Sequence, residues 1–219
     1  MAGRAKAGRT RTNDPERTRR DILDVALSEF ATHGLSGARI DALAERTRTS
    51  KRMIYYYFGS KEGLYLAVLE EAYRRIRADE STLDLGHQAP LDGLAALVRF
   101  TFDYENANAD FIRVVMVENI HHGRYIAKSE TIRQLNNAAI LALEDICRRG
   151  TAAGVMRPDI DPIDLHMSIS ALCFFNVSNR HTFGTIFGRD MAGPEALARR
   201  REIVTETILR YVAPEGWRA

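Results

Sequence analysis

Apolar residues recur every three or four positions along nearly the whole chain, the period of helices with one buried face. Asp14-Pro15-Glu16 supplies an N-cap, a first-turn proline and an early acid, and Ile22, Leu23, Ala26, Leu27 and Phe30 follow at helical spacing. Gly34 is placed as the stop of this first helix. A short second helix fits Ile40 to Arg46, with Ile40, Leu43 and Ala44 inward and Asp41 as a candidate cap. A third begins at Ser50 and runs to about Phe58. Ser60 caps a fourth that carries Leu64, Val68, Leu69 and Ala72.

The segment 79–90 loses the period and reads as a loop. Beyond it the pattern predicts helices over Leu91–Asn106, over Phe111–His121 behind an Asp110 cap, and over Ser129–Gly150. Gly154 and the run Pro158 to Pro162 make a second loop. Pro162 opens a helix reaching about Phe183, and Gly193-Pro194 opens the last, which ends before Pro214. Alternating runs are few, and neither strand-turn-strand patterns nor tandem repeats stand out. The fold class is all-α.

Composition narrows the class. The 219 residues are 45% hydrophobic and 27% charged, a globular balance. No apolar run approaches the roughly 20 residues needed to cross a bilayer, and the basic N-terminus has no apolar stretch behind it. Two cysteines, Cys147 and Cys173, cannot build a disulfide framework. These features predict a cytoplasmic protein with no membrane partner. Net charge is +2, but residues 1–77 carry 16 Lys+Arg against 10 Asp+Glu, and the remainder 15 against 19. A basic front end on a mildly acidic remainder points toward a polyanion at that end.

Function concentrates in residues 39–65, where two short helices are joined by a tight turn around Thr47–Thr49. That layout is a helix-turn-helix, whose second helix suits the major groove. Leu43, Ala44, Ile54 and Phe58 can form its small core, leaving Ser50, Lys51, Arg52 and Tyr56 outside. Lys and Arg neutralise phosphates, an Arg can bridge a guanine edge, and tyrosine hydroxyls reach phosphate oxygens.

The stretch from Thr49 through Ser50-Lys51-Arg52-Met53-Ile54-Tyr55-Tyr56-Tyr57-Phe58-Gly59-Ser60-Lys61-Glu62-Gly63-Leu64 resembles the signature of the tetracycline-repressor-like (TetR) family. That signature runs roughly Val-Ser-Lys-Gly-Thr-Leu-Tyr-His-Tyr-Phe-x-Ser-Lys-Glu-x-Leu. The Ile22-Leu23…Ala26…Phe30…His33-Gly34 pattern matches as well, so the resemblance covers about residues 15–75. Residues 1–13, basic and without acids, read as a disordered basic arm, and the resemblance implies a DNA-binding domain over 14–75 and a helical ligand-binding and dimerisation domain over 76–219. It also implies groove contacts from Thr49, Ser50, Lys51, Arg52 and Met53, with Tyr55 and Tyr56 near backbone or bases. Lys61 would meet a phosphate, and Arg39 and Asp41 stand where the family touches phosphate as its second helix begins. Arg52, Met53 and Tyr56 replace a common Gly, Thr and His, and Thr49 replaces an apolar residue, so base preference does not transfer.

The resemblance further implies double-stranded DNA as partner, a homodimer on a palindromic operator, and an unidentified small-molecule effector. Arg4, Lys6, Arg9 and Arg11 form a candidate minor-groove arm. Pocket candidates are Phe100, Tyr104, Phe111, Met116, Tyr125, Phe174, Phe175 and Asn179. Dimer candidates are two stripes, Leu165, Ile169, Leu172 and Asn176, and Leu197, Val204, Ile208 and Val212. His121, His122, His166 and His181 with Glu118 are the only metal-ligating types worth weighing. Neighbouring histidines on a helix diverge by about 100°, so no metal site and no cofactor is expected. The leading reading is a ligand-responsive repressor. An activator, an architectural DNA binder without a ligand, and an enzyme using the histidines are the alternatives, the last without any Gly-rich phosphate loop or nucleophile motif.

Overall fold

The computed structural model describes residues 14–214. Ten α-helices and two 3-10 turns make up the ordered elements among the described residues, with no strand. The arm residues Arg4, Lys6, Arg9 and Arg11 lie outside them.

Helix α1 (Pro15–Gly37) starts where Asp14 accepts from the N–H groups of Glu16 and Arg17, and it kinks at Gly34, whose φ is 64°. α2 (Ile40–Arg46) and α3 (Lys51–Phe58) follow, then α4 (Lys61–Glu80). α5 (Pro90–Ala107) and α6 (Ala109–Ile120) lead to a 3-10 turn over Ile126–Lys128 and to α7 (Glu130–Ala152). α8 (Pro162–Ser178), α9 (Arg180–Phe187) and α10 (Pro194–Val212) complete the chain.

Four sequence expectations need correction. α4 continues through residue 80 and a 3-10 turn covers Ser81–Leu83, so the loop is shorter than its polarity suggests. Asp110 does not cap α6: the helix starts at Ala109, and the carboxylate pairs with Arg113 at 3.1 Å. Asp41 does not cap α2 either; it forms an ion pair with Lys51. The helix expected to run from Pro162 to Phe183 breaks at Asn179, which leaves helical geometry at φ −108°, ψ 4°.

One core joins the front helices. Ile22, Leu23, Ala26 and Phe30 of α1 meet Leu43, Ile54, Leu64, Tyr65 and Leu69, and reach Val114, Tyr125 and Ile132 from beyond. A second core gathers Leu94, Val98 and Phe102 of α5 with Leu143, Ile146, Leu165, Ile169, Cys173, Val204 and Ile208. A third, smaller cluster of Ala72, Ile76, Phe111, Ile112 and Val177 links them along α4. α4 thus contributes Leu64 and Tyr65 to the front core and Ile76 to the third cluster.

Candidate nucleic-acid interface and buried cavity

The helix-turn-helix is held by short-range bonds. Thr47 Oγ1 donates to the Leu43 carbonyl at 2.7 Å, and the Thr49 N–H reaches Ala44 O at 3.0 Å. Between them Arg48 takes a left-handed φ of 52°, a conformation usually left to Gly or Asn. Ser50 then caps α3 by accepting the Met53 N–H at 3.2 Å. The α3–α4 turn repeats the device: Gly59 adopts φ 74°, and Ser60 accepts the Gly63 N–H at 3.0 Å.

These bonds decide which side of α3 stays outside. Ile54 is buried, Met53 is half-buried, and Lys51, Arg52, Tyr55 and Tyr56 are exposed. Tyr56 is 77% exposed, with only the Tyr57 ring beside it at 5.5 Å, so no internal packing accounts for its position. Arg39 stands exposed as α2 begins. Asp41 holds Lys51, and Lys61 Nζ donates to the Ser36 carbonyl at 3.1 Å. All ten sequence candidates therefore fall on α3, in the turn that enters it, or at the starts of α2 and α4.

The sequence reasoning missed Glu29. This buried carboxylate accepts the Arg39 N–H at 3.2 Å and pairs with Arg46 at 3.3 Å, tying both ends of α2 to α1. Its position on the inward face of an otherwise apolar stripe was the available clue, because an acid there needs partners.

A cavity of about 460 Å³ lies among α4 to α8. Ile76, Leu97, Phe111, Ile112, Ile132, Ile169 and Phe174 form its apolar walls, while Tyr73, Arg77, Glu80, Thr101, Glu105, Asn136, His166 and Ser170 bring polar groups. Arg77 and Glu80 form an ion pair one turn apart on α4. Burial still raises the Glu80 carboxyl above its ordinary range, against the opposing pull of Arg77. Burial pushes Glu105 up to about 8, again with Arg77 opposing. His166 is shifted down, first by burial and then by Arg77, which favours the neutral imidazole.

Of the eight pocket candidates, Phe111 and Phe174 line this cavity. Phe100 and Tyr104 line a separate open groove with Arg75 and Asp79. Tyr125 packs its ring on Tyr65 at 5.2 Å, and Met116 packs against the third cluster without reaching the cavity wall. Phe175 turns outward onto Phe183 at 5.6 Å, and Asn179 donates to Ser178 Oγ. Aromatic spacing identifies a helix face but not whether that face meets a void, a core or solvent.

The dimer stripes need the same correction. Leu165, Ile169, Val204, Ile208 and Val212 are buried inside their own subunit, with Leu172 and Leu197 packed on that core. Asn176 donates to Asn106 Oδ1 at 2.8 Å. The apolar side chains left exposed are on other faces: Ile163, Met167 and Phe175 of α8, Ile186 and Phe187 of α9, and Ile203 and Tyr211 of α10. Periodicity picked the stronger stripe of each helix, which the subunit buries itself.

Among the described residues no three His, Cys, Asp or Glu side chains gather as metal ligands. Glu118 Oε1 is taken by the N–H groups of Tyr125 and Ile126 at 2.7 and 2.9 Å. Cys147 and Cys173 are buried free thiols, both shifted upward by burial.

Residues 22–68 match the family model "Bacterial regulatory proteins, tetR family", and residues 90–208 match "Tetracyclin repressor-like, C-terminal domain". The chain is 36% identical over 200 residues to the HTH-type transcriptional repressor NicS of Pseudomonas putida, covering 91% of this chain and 94% of that protein. It is 31% identical over 201 residues to the HTH-type transcriptional repressor SCO4008 of Streptomyces coelicolor, covering 91% and 97%. The crystal structure of the regulator SCO4942 from Streptomyces coelicolor superposes with a TM-score of 0.67 at 26% identity, over 90% of this chain and 99% of that one. The ketosteroid regulator KstR2 of Mycobacterium tuberculosis, at 18% identity, TM-score 0.68 and coverage of 94% and 98%, shares the fold. With the helix-turn-helix and the helical remainder both matched, this chain belongs to the TetR family of helix-turn-helix regulatory proteins.

Proposed function

We propose that the protein is a transcriptional repressor, not an enzyme, that binds a two-fold symmetric operator as a homodimer and leaves it when a small molecule fills the cavity. The observation that carries the DNA reading is the exposed Lys51–Arg52–Tyr55–Tyr56 face set opposite buried Ile54. In this reading Thr49, Ser50, Lys51, Arg52, Met53, Tyr55 and Tyr56 meet the groove, and Arg39 and Lys61 meet flanking phosphates. Asp41 acts by holding Lys51 rather than by touching DNA. The repressor names of the two relatives support the direction of regulation.

Dimerisation is assigned to the outward faces of α8 and α10, where Ile163, Met167, Phe175, Ile203 and Tyr211 lie exposed. Two such recognition helices serve one operator when they stand about 34–36 Å apart. The cavity connects to them by short routes. Ile132 belongs both to its wall and to the core beneath α1. Ser129, also on the wall, donates to Glu70 of α4 at 2.6 Å. A ligand that prefers one setting of these contacts shifts the spacing of the two recognition helices.

The test is selection of random duplex DNA by the purified protein, followed by sequencing of the retained pool. A two-fold symmetric enriched site is expected. Retention of every sequence alike, fading together as salt rises, would reject the sequence-specific reading.

A further inference from the structure

Two arginines, Arg77 and Arg133, and two carboxyls, Glu80 and Glu105, face the cavity, but Glu105 forms no ion pair. Arg77 is engaged by Glu80 on its own helix. Arg133 at the rim is turned to Glu130 at 3.0 Å. Charged groups of α10 do not help, because Arg201 and Glu202 pair with Asp103 and Arg99 on another side of α5. Glu105 reaches in from α5, is 6% exposed, and its Oε2 has no hydrogen-bond partner. Arg77 Nε is buried without a partner as well. From α8, His166 is held toward neutrality, and burial keeps the Cys173 thiol and, on α4, the Tyr73 hydroxyl protonated.

One buried carboxyl therefore faces the cavity without a hydrogen-bonded partner, with Arg77 pulling on it only through space, an arrangement that disfavours its ionised form. We infer that the cavity takes a small aromatic cation, an amidine or amine, whose charged N–H group binds Glu105. The ring would lie among Phe111, Phe174 and Tyr73, the last already edge-on to Phe111 at 5.3 Å. Aromatic faces attract such a cation. A volume of about 460 Å³ suits a compact ligand. An acceptor atom on the ligand would satisfy Arg77 Nε. An anion would instead sit beside Glu80 and Glu105, with the Arg77 charge already paired to Glu80.

The ligand takes the place of a proton. The empty site holds that proton up to a pH of about 8. Affinity for a permanent cation should rise about tenfold per pH unit below that point and level off above it.

This assignment rests on the cavity being the effector site, and the test separates the two. Benzamidine, benzamide and benzoate are titrated calorimetrically into the full-length protein at pH 6, 7 and 8. Glu105→Gln and Ser170→Phe, the latter filling the cavity, are compared after their helical content is verified. Benzamidine should bind preferentially, follow the pH course above, and lose at least tenfold in affinity with Glu105→Gln and all binding with Ser170→Phe. Benzamidine binding equally well to Glu105→Gln overturns the cation assignment. So does preference for benzoate or benzamide, and if Ser170→Phe abolishes that binding the cavity stands as a ligand site of another class. Binding of none of the three overturns the cation assignment and leaves the effector reading to the Ser170→Phe comparison in operator release.

Discussion

Gly63 lies in the first turn of α4, directly behind the recognition helix. A Cβ built there would stand 2.1 Å from the Phe58 carbonyl oxygen, where ordinary carbon–oxygen contacts begin near about 3.3 Å. Relief requires a separation of roughly 1 Å between two backbones, since the obstacle is a main-chain atom at the end of α3. The same carbonyl accepts the Ser60 N–H at 2.8 Å, and Gly63 N–H is the donor in the Ser60 cap, so the movement disturbs both bonds. Overpacking of this kind costs about 1–3 kcal/mol and a lost cap about 1 kcal/mol more. Alanine returns up to about 1 kcal/mol of helix propensity. Gly63→Ala should therefore destabilise the protein by about 1–3 kcal/mol in urea unfolding. Gly86→Ala is the control, because its Cβ would meet nothing within 4 Å. The displaced α3 should also lose about tenfold in operator affinity, the equivalent of one good base contact. A variant within about 0.5 kcal/mol of wild type that binds the operator unchanged would refute the claim that this close approach sets the recognition helix.

Lys61→Ala should weaken binding to all sequences alike and shallow the salt dependence by about one unit, measured by titration across ionic strengths. Arg52→Ala should change the enriched site in random-duplex selection, and an unaltered site would exclude base reading by Arg52. Met167→Glu should convert the proposed homodimer to the 24.7 kDa chain in sedimentation, whereas Leu165→Ala should cost about 2–5 kcal/mol of stability and leave that proposed dimer intact. Glu105 has a folded-state pKa raised to about 8 against an ordinary 4.5, so the native state binds the extra proton and stability falls as pH rises through that window. Glu105→Gln should flatten this decline, which can reach about 1.4 kcal/mol per pH unit, in denaturant titrations from pH 5 to 8.

The helix-turn-helix was legible because its requirements are local. Caps at Ser50 and Ser60, an inward Ile54 and a basic outward face all sit within a dozen residues, and each appears in the structure. The rear half was legible as helices but not as surfaces. Leu165 and Val204 look like interface residues until α5 and α7 are seen to cover them. Phe175 and Phe174 are neighbours in sequence, yet one faces out and the other lines the cavity. Which face meets a neighbour depends on how helices far apart in the chain cross, and periodicity carries no information on that. Glu29 and Glu105 show the complementary limit. A lone acid on an apolar stripe announces that something must satisfy it, but not whether the partner is two helix ends or none.

The Lys51–Asp41 pair changes how the protein would search a genome. On the proposed reading, the duplex must displace an internal carboxylate from Lys51 before that lysine can reach DNA. Exposed pairs of this sort are worth up to about 1 kcal/mol, roughly a fivefold handicap on every encounter. A fully matched site and a mismatched stretch bear that handicap alike, because the same pair opens in both. In that reading residence shortens by the same factor on wrong sequence and on the operator, and Asp41, without touching DNA, becomes a term in target-search time rather than in specificity.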